Sequence, residues 1–149
     1  GKKIAVIGGG AVGLDVVEFF AARKADISIV EMMDQIGRDL DPVTKNDMKC
    51  QMKTHGVHQL TQTALLEVKA DSFLVKGSEG EYELPFDYGF VCLGMRAKGQ
   101  LYPQLLDAIA DDDVEILNIG DSQRARRIID GTMEGRNILY HLTQRGYLD

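Results

Sequence analysis

A glycine-rich segment near the start of the chain restricts its possible folds more than any other feature. An apolar run, residues 4–7, ends in glycines with the spacing Gly8-x-Gly10-x-x-Gly13, and a helical pattern follows. Gly8 would let the chain turn tightly off a strand, Gly10 would leave space for a close ligand, and Gly13 would let the helix lie against the sheet. The pattern therefore predicts a strand, a tight turn and a helix, the beginning of a doubly wound α/β fold.

A glycine-rich turn that opens a helix is suited to binding a diphosphate. Its backbone N–H groups are free to donate hydrogen bonds, and the helix dipole favours negative charge at that end. The residues assigned to this contact are Gly8, Gly9, Gly10, Ala11, Val12 and Gly13.

An acidic residue after the second apolar run completes a dinucleotide-binding fingerprint. Residues 27–30 are followed by Glu31, at the distance of about 20 residues from the glycines that this fingerprint requires. Its carboxylate would accept hydrogen bonds from the adenosine ribose hydroxyls and would repel a 2′-phosphate. Met32 and Met33 follow in place of arginines, which favours NAD(H), while the nearby Arg38 keeps NADP(H) open as the alternative.

The size and charge of the chain exclude several classes of protein. Its 149 residues can bury the core of one domain without disulfides or metals. The net charge of −6 argues against a nucleic acid or an anionic membrane surface as partner, because both need a basic footprint. No apolar run approaches the roughly 20 residues of a membrane span, and no secretion signal is present, so a cytoplasmic protein is expected.

The cysteines and histidines do not form a recognisable redox or metal motif. Cys50 and Cys92 form neither a Cys-x-x-Cys nor a Cys-x4-Cys pair, so each is predicted to be a small buried apolar residue. His55 and His58 are better explained by a helix end and the turn after it than by a metal site. We therefore expect no metal and no redox-active disulfide within the chain.

Apolar positions at helical spacing predict two helices in the first part of the chain. The first is predicted over residues 11–24, and the second begins at Asp41-Pro42, with Asp41 as N-cap, and ends at Gly56. Residues 57–60 then read as a third parallel strand. The apolar faces are predicted to be Val12, Val16, Phe19 and Phe20 in the first helix and Val43, Met48 and Met52 in the second.

Between residues 63 and 86 the apolar pattern changes from helical to alternating. Three short antiparallel strands are predicted there, joined by turns at residues 70–72 and 77–80. This meander takes the place of a crossover helix and leads into a buried parallel strand over residues 88–93. Ligands bind at the carboxyl ends of such strands, so Cys92, Leu93 and Gly94 are expected near the nicotinamide half of the cofactor.

The remainder of the chain is less regular. A short helix is predicted over residues 104–110, a solvated turn at the acidic residues 111–113, and a strand over residues 114–119. A last helix is predicted over residues 128–145, with Met133, Leu139 and Leu142 on one face. The predicted fold class is α/β: a Rossmann-like doubly wound parallel sheet with a three-stranded antiparallel meander as one crossover, plus a C-terminal strand-helix segment.

Over nearly its whole length the chain resembles the pyridine nucleotide-disulfide oxidoreductase superfamily. Within that superfamily it is most similar to the C-terminal part of Old Yellow Enzyme-like NADH:flavin oxidoreductases, the group of 2,4-dienoyl-CoA reductase and the enoate reductases. The resemblance is carried by the glycine-rich segment, the meander, Ile29-Val30-Glu31, Cys92-Leu93-Gly94, Ile119-Gly120-Asp121 and Glu134-Gly135.

The resemblance implies two domains and a larger parent enzyme. Residues 1–97 would be an NAD(H)-binding domain, and residues 98–149 the last segment of an FAD-binding domain that is otherwise absent. In the parent, NADH would pass hydride to FAD for the reduction of an activated C=C bond, with FMN and an iron–sulfur cluster also present. Asp121 would bind the flavin ribityl chain, while Gly94 and Asp15 would lie near the nicotinamide. We expect no catalytic acid, base or nucleophile here and no turnover by the isolated chain.

Two other interpretations are a stand-alone NAD(H)-sensing regulatory module without catalysis and a structural interaction domain with a vestigial site. The meander and Gly120-Asp121 argue against the sensing module, because such modules continue with regular strand-helix units. If the chain is part of a larger enzyme, as the resemblance implies, the strand over residues 114–119 would lack its neighbours in the FAD-binding domain and would have unpaired edges. Self-association into a homo-oligomer is therefore expected.

Overall fold

The chain divides into two units, Gly1–Gly94 and Met95–Asp149, in a computed structural model that describes residues 1–109 and 114–148. The acidic residues 111–113, predicted to form a solvated turn, lie outside the described residues. The elements of the first unit are β1 (Lys3–Ile7), α1 (Ala11–Ala21), β2 (Asp26–Val30), α2 (Pro42–Thr54), β3 (His58–Leu60), β4 (Ala64–Val68), β5 (Ser72–Gly77), β6 (Gly80–Pro85) and β7 (Tyr88–Val91).

The first unit has the predicted α/β fold. Four parallel strands lie in the order β3-β2-β1-β7, and β4, β5 and β6 form a separate antiparallel sheet. The meander between β3 and β7 is confirmed, and it replaces a crossover helix. Because β1 and β2 are parallel and paired in register, their carboxyl ends lie at the same edge of the sheet.

The strand register determines which residues meet at that edge. Ile7 of β1 pairs with Val30 of β2 on one side and with Val91 of β7 on the other. The residues that follow, Gly8, Glu31 and Cys92, therefore emerge side by side. The Gly8 amide donates to the Val30 carbonyl oxygen at 2.8 Å, which extends the parallel ladder into the turn.

Helix α1 presents a different face to the sheet from the one predicted. Its buried residues are Gly13, Leu14, Val17 and Ala21. Val12 and Phe19 were expected to be in the core, but they are 63% and 53% exposed, whereas Val16 and Phe20 pack partly against it. The prediction was wrong for Val12 and Phe19 because both faces of this helix carry apolar residues at helical spacing, so periodicity alone does not select one.

Helix α2 begins as predicted. Asp41 is the N-cap, and its Oδ1 accepts hydrogen bonds from the amides of Val43 at 3.0 Å and Thr44 at 3.1 Å. Hydrogen bonds from Thr44, through its side chain and backbone, and from Val43 lower the pKa of Asp41. Met48 and Met52 are buried as expected, but Val43 is 80% exposed because the first turn extends beyond the core.

The meander is attached to the sheet by aromatic and branched side chains. Phe73 and Val75 of β5 are fully buried and pack against residues of β1 and β2, and the rings of Phe73 and Phe86 lie 4.5 Å apart. Leu66 and Val68 of β4 and Tyr82 of β6 are exposed. One face of the small sheet thus completes the core of the first unit, as alternation at period two requires.

The second unit contains α3 (Leu101–Ala108), a 3₁₀ turn over Gly120–Ser122, α4 (Ile128–Arg136) and α5 (Ile138–Gln144). The single helix predicted over residues 128–145 is interrupted at Asn137, close to Gly135, and both are weak helix formers. Its predicted apolar face is not a buried one: Met133 is 46% and Leu139 68% exposed, and Leu142 is half-buried.

Residues 114–119 do not form the predicted strand. A strand is completed by hydrogen bonds to a neighbouring strand, and the described part of the second unit contains none. The backbone is nevertheless extended at Ile119, with φ −132° and ψ 166°. Self-association through this segment stays a prediction.

The two cysteines are free thiols in different environments. Cys50 is exposed, contrary to the prediction, because it lies on the opposite side of α2 from the buried Met48 and Met52. Cys92 is half-buried.

His58 lies beside Asp26 at the start of β2, with its Nε2 atom 3.4 Å from Asp26 Oδ1. Among the described residues, no helix combines the length and the apolar character that crossing a membrane requires.

Candidate functional site

Two glycines of the glycine-rich segment are required by close contacts within the first unit. Gly8 has φ +105°, and a Cβ built on it would lie 2.2 Å from the carbonyl oxygen of Cys92. A Cβ on Gly13 would lie 1.9 Å from the carbonyl oxygen of Gly8. Both distances are far inside van der Waals contact, so these positions let α1 and β7 approach the turn.

The third glycine of the fingerprint faces open space instead. Within the part of the chain that the structure describes, a Cβ on Gly10 would have no atom within 4 Å. In residues 1–109 and 114–148, no oxygen accepts a hydrogen bond from the amides of residues 10–13, and no side chain caps α1. Gly10, Ala11 and Val12 are exposed. The turn therefore presents a row of unpaired N–H groups at a helix N-terminus, the arrangement that binds an anion.

Glu31 lies against this turn and is fixed in place by two backbone amides. Its Oε2 accepts a hydrogen bond from the Gly9 amide at 2.7 Å, and its Oε1 accepts one from the Met33 amide at 2.8 Å. The side chain remains partly exposed. Each carboxylate oxygen has a second lone pair, so the group can accept further hydrogen bonds from a ligand.

The loop between β2 and α2 covers the glycine turn from the other side, a contact that sequence reasoning missed. The Gly37 amide donates to the Gly9 carbonyl oxygen at 2.7 Å. Ile36 is buried, and its side chain lies 3.2 Å from the position of a Cβ on Gly9. The signal in the sequence is a single apolar residue followed by glycine within an otherwise polar stretch, residues 34–39.

An open groove of about 660 Å³ lies next to Glu31. It carries side chains of both charges together with two thioethers, and Met32 is 68% exposed within it. Its lining residues are Met32, Met33, Asp34, Gln35, Arg38 and Gln62.

The end of β7 reaches the same edge of the sheet. The Cys92 amide donates to the carbonyl oxygen of Ile7 at 2.7 Å, and burial raises the pKa of the Cys92 thiol. The thiol is therefore protonated at neutral pH and is a poor nucleophile. Gly94 is exposed with φ +78°, and Asp15 is exposed on α1. The structure thus brings Gly8 and Gly9 together with Glu31 and Cys92.

In the second unit, Glu134 holds the turn that contains Gly120 and Asp121. Glu134 Oε2 accepts a hydrogen bond from the Gly120 amide at 2.6 Å, and its other oxygen forms an ion pair with Arg126. The amide of Arg126 donates to Asp121 Oδ1 at 3.2 Å. Gly120 has φ +65°, so the turn depends on glycine as well as on this carboxylate.

This carboxylate should make the second unit sensitive to acid. The hydrogen bond from the Gly120 amide, together with the Arg126 side chain, lowers the pKa of Glu134. Its stabilising contribution is therefore complete above the carboxyl pKa of the unfolded chain and is lost as the pH falls through the lowered folded value. We expect the Gly120 amide resonance to shift as Glu134 is protonated in an NMR titration from neutral to acidic pH.

The matched control for that titration is Glu134→Gln, which removes the titrating group. In this variant the acid-dependent shift of the Gly120 resonance should be absent. A wild-type resonance that keeps its position through the acidic range would contradict the assignment of Glu134 as the group that holds the turn.

Comparison with protein-family models identifies one family over most of the chain. The model described as pyridine nucleotide-disulphide oxidoreductase matches residues 1–120. A bilirubin reductase of Mediterraneibacter gnavus is 31% identical, over 89% of this chain and 20% of its own length. A metal reductase of Desulforamulus reducens is 28% identical, over 92% of this chain and 24% of its own.

Solved structures show the same fold. A 2-naphthoyl-CoA reductase complex superposes with a TM-score of 0.67 and 20% identity, over 91% of this chain and 20% of that chain. Histamine dehydrogenase from Rhizobium sp. 4-9 gives a TM-score of 0.65 and 16% identity, over 93% and 23% of the respective chains. The present chain thus spans about a fifth to a quarter of the length of these relatives.

Proposed function

The chain belongs to the pyridine nucleotide-disulphide oxidoreductase family, and from this membership we propose that its first unit binds NAD(H) for hydride transfer to a flavin within a larger enzyme. One observation carries the proposal: the unpaired amides of residues 10–13 directly follow Gly9 in the chain, and the Glu31 carboxylate accepts a hydrogen bond from the Gly9 amide. Both groups therefore lie at the same edge of the parallel sheet. Ligands of open α/β sheets bind at this edge.

Each part of the cofactor has a chemically suitable place in the first unit. The amides at the start of α1 would donate to the diphosphate, which can approach closely because Gly10 has open space around it. Glu31 would accept from the ribose hydroxyls with its remaining lone pairs. The groove lined by Met33 and Arg38 would take the adenine, whose planar apolar faces can pack on a thioether.

The nicotinamide end is assigned to the segment after β7. Cys92 and Gly94 follow β7, the strand that pairs with β1 beside the glycine turn, and Asp15 lies on α1. A reduced nicotinamide supplies a hydride when it is bound. The residues of this chain would orient the ring, and the protonated Cys92 thiol would take no part in bond formation.

The narrower assignment concerns the parent enzyme. We propose an Old Yellow Enzyme-like NADH:flavin oxidoreductase that reduces an activated C=C bond, with FAD, FMN and an iron–sulfur cluster elsewhere in its chain. The similarity to two longer reductases supports a reductase as parent. In this proposal, residues 1–97 are the NAD(H)-binding domain and residues 98–149 belong to the FAD-binding domain. Asp121 then faces the flavin ribityl chain, on a turn that Glu134 and Gly120 hold.

The expected preference is for NADH. The Glu31 carboxylate would repel a 2′-phosphate on the adjacent ribose, whereas Arg38 in the neighbouring groove would attract it. Glu31 is fixed by two backbone amides, while Arg38 is an exposed side chain that would have to be ordered. A charge that is already fixed contributes more to the binding free energy than one whose side chain must first be ordered. The repulsion of a 2′-phosphate by Glu31 should therefore exceed its attraction by Arg38.

The test is a titration of the whole chain with NADH and, separately, with NADPH, followed by nicotinamide fluorescence. Saturable binding of NADH is expected, with NADPH weaker by about tenfold or more. Folding is checked by circular dichroism in the same samples. A folded chain that shows no saturable NADH binding would contradict the proposed function, and tighter binding of NADPH would contradict the preference.

A further inference from the structure

We propose that Glu31 is also a positioning residue for the glycine turn, so that the binding of a diphosphate depends on its carboxylate even when the ligand has no ribose hydroxyls. This proposal rests on the proposed function, because it concerns the same site. In this role the ribose acceptor also orients the diphosphate donors, because Glu31 accepts a hydrogen bond from the amide of Gly9, the residue that precedes them.

The hydrogen bonds around Gly9 support that connection. Its amide donates to Glu31 Oε2 and its carbonyl oxygen accepts from the Gly37 amide, both at 2.7 Å. The residue is buried beneath Ile36. Gly9 directly precedes Gly10 and the row of unpaired amides, so its orientation determines where those amides point.

Without an acceptor at residue 31, the Gly9 amide would be left unpaired in a buried position. A buried N–H without an acceptor is strongly unfavourable, and the turn would reorient to find one. A reoriented turn would no longer hold the amides of residues 10–13 in the arrangement that suits a diphosphate.

The carboxylate is specifically required because it accepts from two backbone amides at once. One oxygen takes the Gly9 amide and the other the Met33 amide. In glutamine an NH₂ group replaces one of the two oxygens that accept these bonds, so in either orientation of the side chain one of the two amides faces a donor in place of an acceptor. Glu31→Gln is therefore a nearly isosteric variant that should disturb the turn.

The matched control is Asp39→Asn, which removes one negative charge from the same loop. Asp39 is exposed, and in the part of the chain that the structure describes it accepts no hydrogen bond from the glycine turn. Any gain in anion affinity that comes only from reduced negative charge should appear equally in both variants.

The experiment measures the affinities of ADP and of 2′,3′-dideoxy-ADP for the wild-type chain and both variants by calorimetry. If Glu31 positions the turn, Glu31→Gln should weaken dideoxy-ADP by about tenfold relative to Asp39→Asn. If Glu31 acts only as the ribose acceptor, its substitution should weaken ADP and leave dideoxy-ADP unchanged. That second pattern would overturn the proposal.

Amide hydrogen exchange followed by NMR gives an independent measurement without any ligand. The Gly9 amide should be protected in the wild type and in Asp39→Asn and should exchange at least about tenfold faster in Glu31→Gln. The amides of β1 report whether the sheet is intact. Equal Gly9 exchange in all three proteins would contradict the positioning role, whereas a wild type with a protected Gly9 that binds neither nucleotide would contradict the proposed function instead.

Discussion

Gly13→Ala is expected to abolish the native packing of the first unit. The new Cβ would lie 1.9 Å from the carbonyl oxygen and 3.1 Å from the carbonyl carbon of Gly8, and 3.5 Å from Cγ1 of Val6. The nearest of these atoms belong to backbone that is hydrogen-bonded to Val30, so no side chain can rotate away. Overpacking typically costs about 1 to 3 kcal/mol, and a clash between two backbone segments should exceed that range.

The measurement is urea and thermal unfolding of the whole chain, followed by far-ultraviolet circular dichroism. The matched control is Gly10→Ala, the same substitution three residues earlier, where a Cβ meets no atom of the described residues within 4 Å and φ is −78°. The control should lose less than about 1 kcal/mol, as expected for alanine at an N-cap. An unfolding midpoint of Gly13→Ala equal to that of the wild type would show that α1 does not pack as described.

Gly10→Ala is expected to weaken the binding of NADH by about tenfold or more while leaving the fold intact. The methyl group would occupy the open space in front of the unpaired amides, where a diphosphate must lie to accept their hydrogen bonds. Hydrogen bonds to a charged group are stronger than neutral ones, so a displacement of a few tenths of an ångström should lower affinity markedly.

Nicotinamide fluorescence titration measures this effect, with circular dichroism confirming the fold of each protein. Gly99→Ala serves as the control, because Gly99 is an exposed loop residue of the second unit with open space around its own Cβ position. Its NADH affinity should equal that of the wild type. Undiminished binding in Gly10→Ala would mean that the diphosphate does not approach this turn.

The two glycine variants also separate two kinds of glycine within one fingerprint. At Gly8 and Gly13 the missing Cβ permits contacts inside the protein, whereas at Gly10 it leaves space on the outside. Sequence spacing alone predicted these three roles. The geometry confirms the tight turn at Gly8 and the close approach of α1 at Gly13, whereas the approach of a ligand at Gly10 stays a prediction.

Several local features could be predicted because neighbouring residues determine them. Asp41 followed by Pro42 marks the start of α2, since the cap and the fixed proline dihedral act within one turn. The alternating pattern before Phe86 predicts the meander, because side chains of a strand point to opposite faces.

The face of α1 could not be chosen from periodicity. Val12 and Phe19 repeat at helical spacing as well as Leu14 and Val17 do, yet only the second pair is buried. The close contact between Gly13 and Gly8 fixes the rotation of the helix. Residues four and eight positions beyond Gly13 then face the sheet, which accounts for the burial of Val17 and Ala21.

By itself the sequence determined most elements of the first unit and the glycine fingerprint, because turns, caps and alternation depend on residues close together in the chain. Only the tertiary structure decided that Glu31 holds the amide of Gly9 and that Gly37 holds its carbonyl oxygen. The contact of Glu31 follows from the pairing of Ile7 with Val30, which places the ends of two strands side by side, and the contact of Gly37 depends on the fold of the loop after Glu31. The register of parallel strands depends on packing across the whole sheet, so it cannot be predicted from any single segment of the sequence.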